Sequence, residues 1–180
     1  MKIKAVFLLT VLFAAHHSFA QKQTPYADSL SKSLSTLFNS LPDTCKGLWG
    51  KQKTGSTRSY ESKLRLPRST ENRFDIATFV NYPLIFMSYV PAGNDRDTAI
   101  EHLKLLKKEI DSVTVTYKKK VYKIAFLPSE SKTGENPDYQ FSLVKGPREL
   151  DGTKIYIRIA DADNKKYRYQ YSMGIYVRTN

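Results

Sequence analysis

The sequence has one cysteine, Cys45, one tryptophan and three histidines in 180 residues. A lone thiol cannot close an intrachain disulfide, so stability has to come from packing, and only a bridge to another molecule could use it. His16 and His17 lie in the N-terminal apolar segment, which leaves His102 as the sole imidazole of the remainder. One imidazole and one thiol are too few for zinc, which takes three or four ligands mostly of these two kinds. Asp161-x-Asp163 opens like a calcium loop, but Lys166 stands where such a loop needs glycine, and no glutamate follows at the twelfth place. The expectation is no metal and no cofactor.

Long hydrophobic runs are also missing. The N-terminal apolar run, residues 5–15, has 11 residues, short of the ~20 that a helix needs to cross a hydrocarbon core. It follows Lys2 and Lys4 and ends at Ser18-Phe19-Ala20, small residues at the minus-three and minus-one positions of a signal-peptidase site. The reading is a cleavable leader over residues 1–20, cut after Ala20, and a soluble exported domain over residues 21–180, periplasmic or extracellular. No cysteine stands at the cut to take a lipid, and no Asn-x-Ser/Thr sequon occurs, which with the short leader points to a bacterial cell envelope. Acid is scarce relative to base: 29 Lys and Arg face 17 Asp and Glu, a net charge of +12 that becomes +10 when Lys2 and Lys4 leave.

What remains suits one domain able to bury roughly 70% of its unfolded surface. Leu30, Leu34, Leu37, Phe38, Leu41, Cys45 and Leu48 recur at spacings of three and four, an apolar helical stripe. Pro42 removes a donor and crowds the preceding turn, so the spacing predicts a helix over residues 27–40 and a further turn to Lys46. The period then switches to two at Tyr60, Ser62, Leu64 and Leu66, a strand closed by Pro67. Strands over residues 73–81 and 84–90 follow, split by Tyr82-Pro83 and ended by Pro91. Thr98 with Glu101 forms a capping box for a second helix, whose buried stripe is Ile100, Leu103, Leu106, Ile110 and Val113. Five more strands are expected over residues 113–117, 121–127, 139–144, 154–160 and 167–178, separated by polar turns. The fold class is α+β: an antiparallel sheet of about six to eight strands, order α-βββ-α-βββββ, with two helices packed on one face.

Catalytic constellations are few. Cys45 with His102 is the one nucleophile and base pair the chain can assemble, and its signature is weak because Cys45 falls on the leucine-rich stripe. Fragments of the penicillin-recognising serine enzymes, such as Ser129-x-x-Lys132 and Lys132-Thr133-Gly134, lack the Ser-Asp-Asn element. The stronger signal is a surface. With Ile155, Ile157 and Ile159 facing the core, strand alternation turns Lys154, Tyr156 and Arg158 outward, and the last strand likewise exposes Arg168, Tyr176 and Arg178. Basic and aromatic residues then share a face that can attract a polyanion by charge and hold it by stacking. The leading reading is a non-enzymatic envelope module whose partner is an anionic polymer or an envelope protein. The alternatives are a small-ligand carrier with a pocket lined by Phe74, Phe79, Phe86, Phe126 or Phe141, and the Cys45/His102 thiol enzyme.

Overall fold

The computed structural model describes residues 24–77, 84–128, 138–162 and 166–178. The expected leader, its cut site, Phe79, the Tyr82-Pro83 break, the Ser129-x-x-Lys132 fragment and Asp163 lie outside them. Helix α1 spans Pro25–Asn39. Thr24 caps it, its Oγ1 accepting from Ala27 N–H at 3.2 Å, and Pro25 occupies the first turn, where no donor is missed. Its stripe of Leu30, Leu34, Leu37 and Phe38 is buried as expected. Beyond Asn39 the chain does not continue as helix. Pro42 sits in a 3-10 turn, Leu41–Asp43, and then Thr44 and Cys45 both take left-handed backbone, φ 53° and 56°. Cys45 is therefore buried from a tight turn rather than from the helical stripe.

Among the described residues nine strands form one antiparallel sheet: β1 Trp49–Gln52, β2 Ser59–Ser62, β3 Glu71–Ile76, β4 Leu84–Gly93, β5 Thr114–Tyr117, β6 Lys120–Leu127, β7 Asp138–Leu143, β8 Lys154–Asp161 and β9 Tyr169–Val177. Their spatial order is β1-β2-β3-β4-β9-β8-β7-β6-β5, so two meanders are joined by the last strand, which lies between β4 and β8. The count exceeds the six to eight expected, and the order along the chain is α-ββββ-α-βββββ. The added strand is β1, whose four residues include Gly50, Lys51 and Gln52 and show no alternation; its ladder with β2 shifts register between Trp49 and Gln52. Trp49 anchors it, stacked 4.7 Å from Tyr60 and 6.3 Å from Phe74, centroid to centroid.

Two other expectations are corrected by local context. Pro91 does not end its strand. Tyr89 turns its carbonyl toward β3, where it accepts from Thr70 N–H, and Pro91 faces the same side two residues on, past the last β3 pair, Glu71 with Tyr89. The donor that proline lacks would have met no strand there. The cap of helix α2, Arg96–Ile110, is Asp95 and not Thr98: Thr98 N–H donates to Asp95 Oδ1 at 2.7 Å. A carboxylate satisfies this end of the helix dipole better than a hydroxyl.

Helix α2 packs over β4, β8 and β9. Its Ala99, Leu103 and Ile110 meet the inward rows of the sheet, Phe74, Phe86, Ile155, Ile157, Tyr171 and Ile175 among them. Helix α1 joins the same core but lies along the edge strand β5, a placement more lateral than two helices side by side on one face. Three of its side chains, one turn apart, hold that edge. Thr114 N–H donates to Ser31 Oγ (3.2 Å), Thr116 N–H to Ser35 Oγ (2.8 Å) and Lys118 N–H to Asn39 Oδ1 (3.0 Å), while Asn39 Nδ2 donates to Thr116 O (2.7 Å). Four residues of helix advance ~6 Å and two residues of strand ~6.7 Å, so the two ladders stay nearly in step. On the other flank of α1, Ser33 Oγ donates to Arg65 O after β2.

Candidate functional site

With the helices on one side, the other side of the sheet is a surface of aligned cross-strand rows. One row runs Glu71, Tyr89, Ser172, Arg158 and Asp138 across β3, β4, β9, β8 and β7. The next runs Arg73, Met87, Gly174, Tyr156 and Gln140, and a third Asp75, Ile85, Tyr176 and Lys154. Where the rows meet on β9, Gly174 supplies no side chain, and a depression of about 290 Å³ opens, lined by Met87, Asp138, Tyr156, Arg158, Ser172, Gly174 and Tyr176. A Cβ on Gly174 would stand 2.8 Å from the Tyr176 ring and 3.1 Å from Met87 Sδ, so the missing side chain lets that ring and sulfur lie down on the strand. The Tyr156 and Tyr176 rings meet edge to face at 5.1 Å.

The charges on this face differ in how they are engaged. Arg73 is held by its neighbours: Nε donates to Asp75 Oδ2 at 2.9 Å, Nη1 to Glu71 Oε1 at 3.5 Å, and the guanidinium lies 5.0 Å from the Tyr89 ring centre. Glu71 is also paired with Lys53. Arg158 is tied only lightly. Its Nε donates to Ser172 Oγ at 3.3 Å, and among the described residues no carboxylate forms an ion pair with it. Asp138, its cross-strand neighbour, has a buried Oδ1 with no hydrogen-bond partner among the described residues. Burial holds that carboxyl above the ordinary carboxylate range, and the Arg158 charge offsets only part of the effect.

Of the six residues read from alternation, the structure gathers four. Tyr156, Arg158 and Tyr176 line the depression, and Lys154 is the direct cross-strand partner of Tyr176. Arg168 and Arg178 stand at opposite ends of β9. Arg168 precedes the strand, its N–H bound to Asn94 Oδ1 and Gly93 O and its guanidinium 5.4 Å from the Tyr169 ring centre. Arg178 lies over Gly152 and borders a separate hollow with Lys118, Glu149 and Leu150. Met87 and Asp138 are additions that alternation within the last two strands does not signal, Asp138 reading as the end of a loop, and Gly174 shares the face of Tyr176 without a side chain to mark it.

Cys45 and His102 are not brought to one site. Cys45 is fully buried with Sγ 3.8 Å from Leu37 O, and burial pushes its pKa up to about 12. His102 is exposed on α2 and borders a groove with Tyr26, Arg68, Leu105 and Glu109, which Cys45 does not reach. A thiol so placed carries almost no thiolate near neutrality. Disulfide-exchange reagents at pH 8 are expected to leave the folded protein unlabelled and to take up one equivalent after denaturation; stoichiometric labelling of the native protein would contradict the burial. Among the described residues no three His, Cys, Asp or Glu side chains are gathered as metal ligands. Of the phenylalanines assigned to a carrier pocket, Phe74, Phe86 and Phe141 are fully buried, and Phe74 meets Phe86 edge to face at 5.1 Å. No helix among the described residues is long and apolar enough to cross a membrane. No protein-family model matches the chain, and neither the curated proteins nor the solved structures yield a relative similar to it.

Proposed function

We propose that this is an exported envelope protein that acts without catalysis, as a binding module, and that the helix-free sheet face around Arg158 engages an anionic polymer. One observation carries the reading. Tyr156, Arg158 and Tyr176 converge on a single depression, and among the described residues Arg158, unlike Arg73 on the same face, is locked into no ion pair. A guanidinium so placed offers a charged fork to an oxyanion, and flanking rings offer apolar contact. The net charge of +12 over the whole chain, or +10 without the leader, adds long-range attraction.

Retention on a heparin column tests the proposal. The unmodified protein is expected to elute late and at a salt concentration that Arg158→Glu lowers sharply. The slope of log affinity against log salt falls by about one to two in that variant, since a cation is replaced by an anion. Arg168→Glu serves as a control with the same change in net charge, and its effect is expected to be much smaller because Arg168 lies away from the depression. Equal losses for the two variants would reduce the interaction to net charge alone, and indifference to salt and to both substitutions would overturn the reading.

A further inference from the structure

The floor of the depression is not uniformly basic. A site for phosphodiester chains gains from every cation and loses from every carboxylate, yet Asp138 projects a buried oxygen that lacks a partner beside Arg158. An orphaned acceptor of this kind is costly until a donor reaches it. A phosphodiester has no donor to give. A sugar hydroxyl has one, and a sugar ring also presents an apolar C–H face to aromatic side chains such as Tyr156 and Tyr176, whose rings stand 5.1 Å apart. The volume of about 290 Å³ is at the small end for ligand sites and suits a single ring rather than a long apolar molecule.

Resting on the binding face proposed above, we infer that the depression is a subsite for one acidic sugar residue of a glycan, with Arg158 taking the sugar carboxylate and the Asp138 carboxyl accepting from a ring hydroxyl. Arg158 and Asp138 sit side by side on adjacent strands, ~5 Å apart at the backbone, and a hexuronate carries its carboxylate and its hydroxyls within such a span. The two tyrosines and Met87 supply the wall that the ring covers. Specificity follows from the pair: the arginine selects for an anion, and the carboxylate selects against an anion that brings no donor.

Calorimetric titration of the purified protein with a hexamer of 1,4-linked galacturonic acid, a neutral hexasaccharide and a single-stranded hexanucleotide, all at the same low salt, tests the inference. The hexauronate is expected to bind at least tenfold more tightly than either other probe. Asp138→Ala should weaken the hexauronate about tenfold and leave the hexanucleotide unchanged or tighter, while Arg158→Gln should remove hexauronate binding. Thermal melts of both variants are expected to show that the fold is retained, and Gly174→Ala, whose Cβ displaces the Tyr176 ring and Met87 sulfur from the depression's wall, is expected to give an independent loss of hexauronate binding. Equal binding of hexauronate and hexanucleotide, dependent on salt and on Arg158 but indifferent to Asp138→Ala, overturns the sugar subsite and leaves the anionic face standing. Absence of any binding that Arg158→Gln removes overturns both.

Discussion

Raising the pH above 9 should unfold this protein steeply, with most of its stability gone between pH 11 and 12. Two side chains drive the loss. Burial pushes Cys45 from 9.0 to about 12, and burial, with a smaller contribution from the Glu109 charge, pushes Tyr26 from 10.0 to about 12. Both are acids that the fold keeps neutral. Below pH 9 they are protonated in folded and unfolded chains alike and contribute nothing to the pH dependence. Above pH 9 the unfolded chain ionises Cys45 and the folded chain does not, so stability falls by about 1.4 kcal/mol per pH unit, and above pH 10 Tyr26 adds the same slope. By pH 11.5 the combined loss is on the order of 5 kcal/mol, comparable with the whole stability of a modest domain. Tyr89 and Tyr171, whose phenols burial also raises, steepen the fall. Circular dichroism across an alkaline titration reads the transition. Cys45→Ala should move the onset from about pH 9 to about pH 10, and an onset that ignores this substitution would mean that the thiol is not held neutral by the fold.

The second large effect is expected at the edge of the sheet. Replacing Ser31, Ser35 and Asn39 together by alanine removes the partners of Thr114, Thr116 and Lys118 N–H and of Thr116 C=O. At about 1 kcal/mol for each of the four bonds the loss is ~4 kcal/mol. Alanine is the better helix former, and three replacements return ~1.5 kcal/mol, which leaves a net cost of about 2.5 kcal/mol. The sign is informative, because α1 by itself would become more stable. The vacated edge of β5 would also offer unpaired donors and acceptors to another molecule. Urea denaturation should show the lowered midpoint, and sedimentation should show association rising with concentration beyond that of the unmodified chain. A triple variant that is more stable and associates no further would show that α1 does not guard this edge.

That ladder illustrates what the sequence conceals. Ser31, Ser35 and Asn39 are spaced like any solvated helix face, and their role depends on a strand some eighty residues away. The apolar stripe of Leu30, Leu34, Leu37 and Phe38 was legible because burial of a helix repeats within one turn, and β8 and β9 were legible because alternation repeats within two residues. Strand β1 was not, since Gly50, Lys51 and Gln52 carry no alternation and what fixes it is its ladder with β2 and the packing of Trp49 on Tyr60 and Phe74. Pro91 reads as a terminator, yet the strand passes through it because its neighbour has already ended. The candidate site divides the same way. Tyr156, Arg158, Gly174 and Tyr176 follow from the pleat of their own strands, whereas Asp138 and Met87 join them only through the order β4-β9-β8-β7, which no single strand encodes.

The position of β9 has a bearing on when the chain can fold. Residues up to Asp161 can complete the ladders of β1 to β4 and of β5 to β8, but nothing stitches the two halves into one sheet until Tyr169–Val177 slides between Leu84–Gly93 and Lys154–Asp161. The two halves therefore become one sheet only when the nine residues of this strand insert as a keystone.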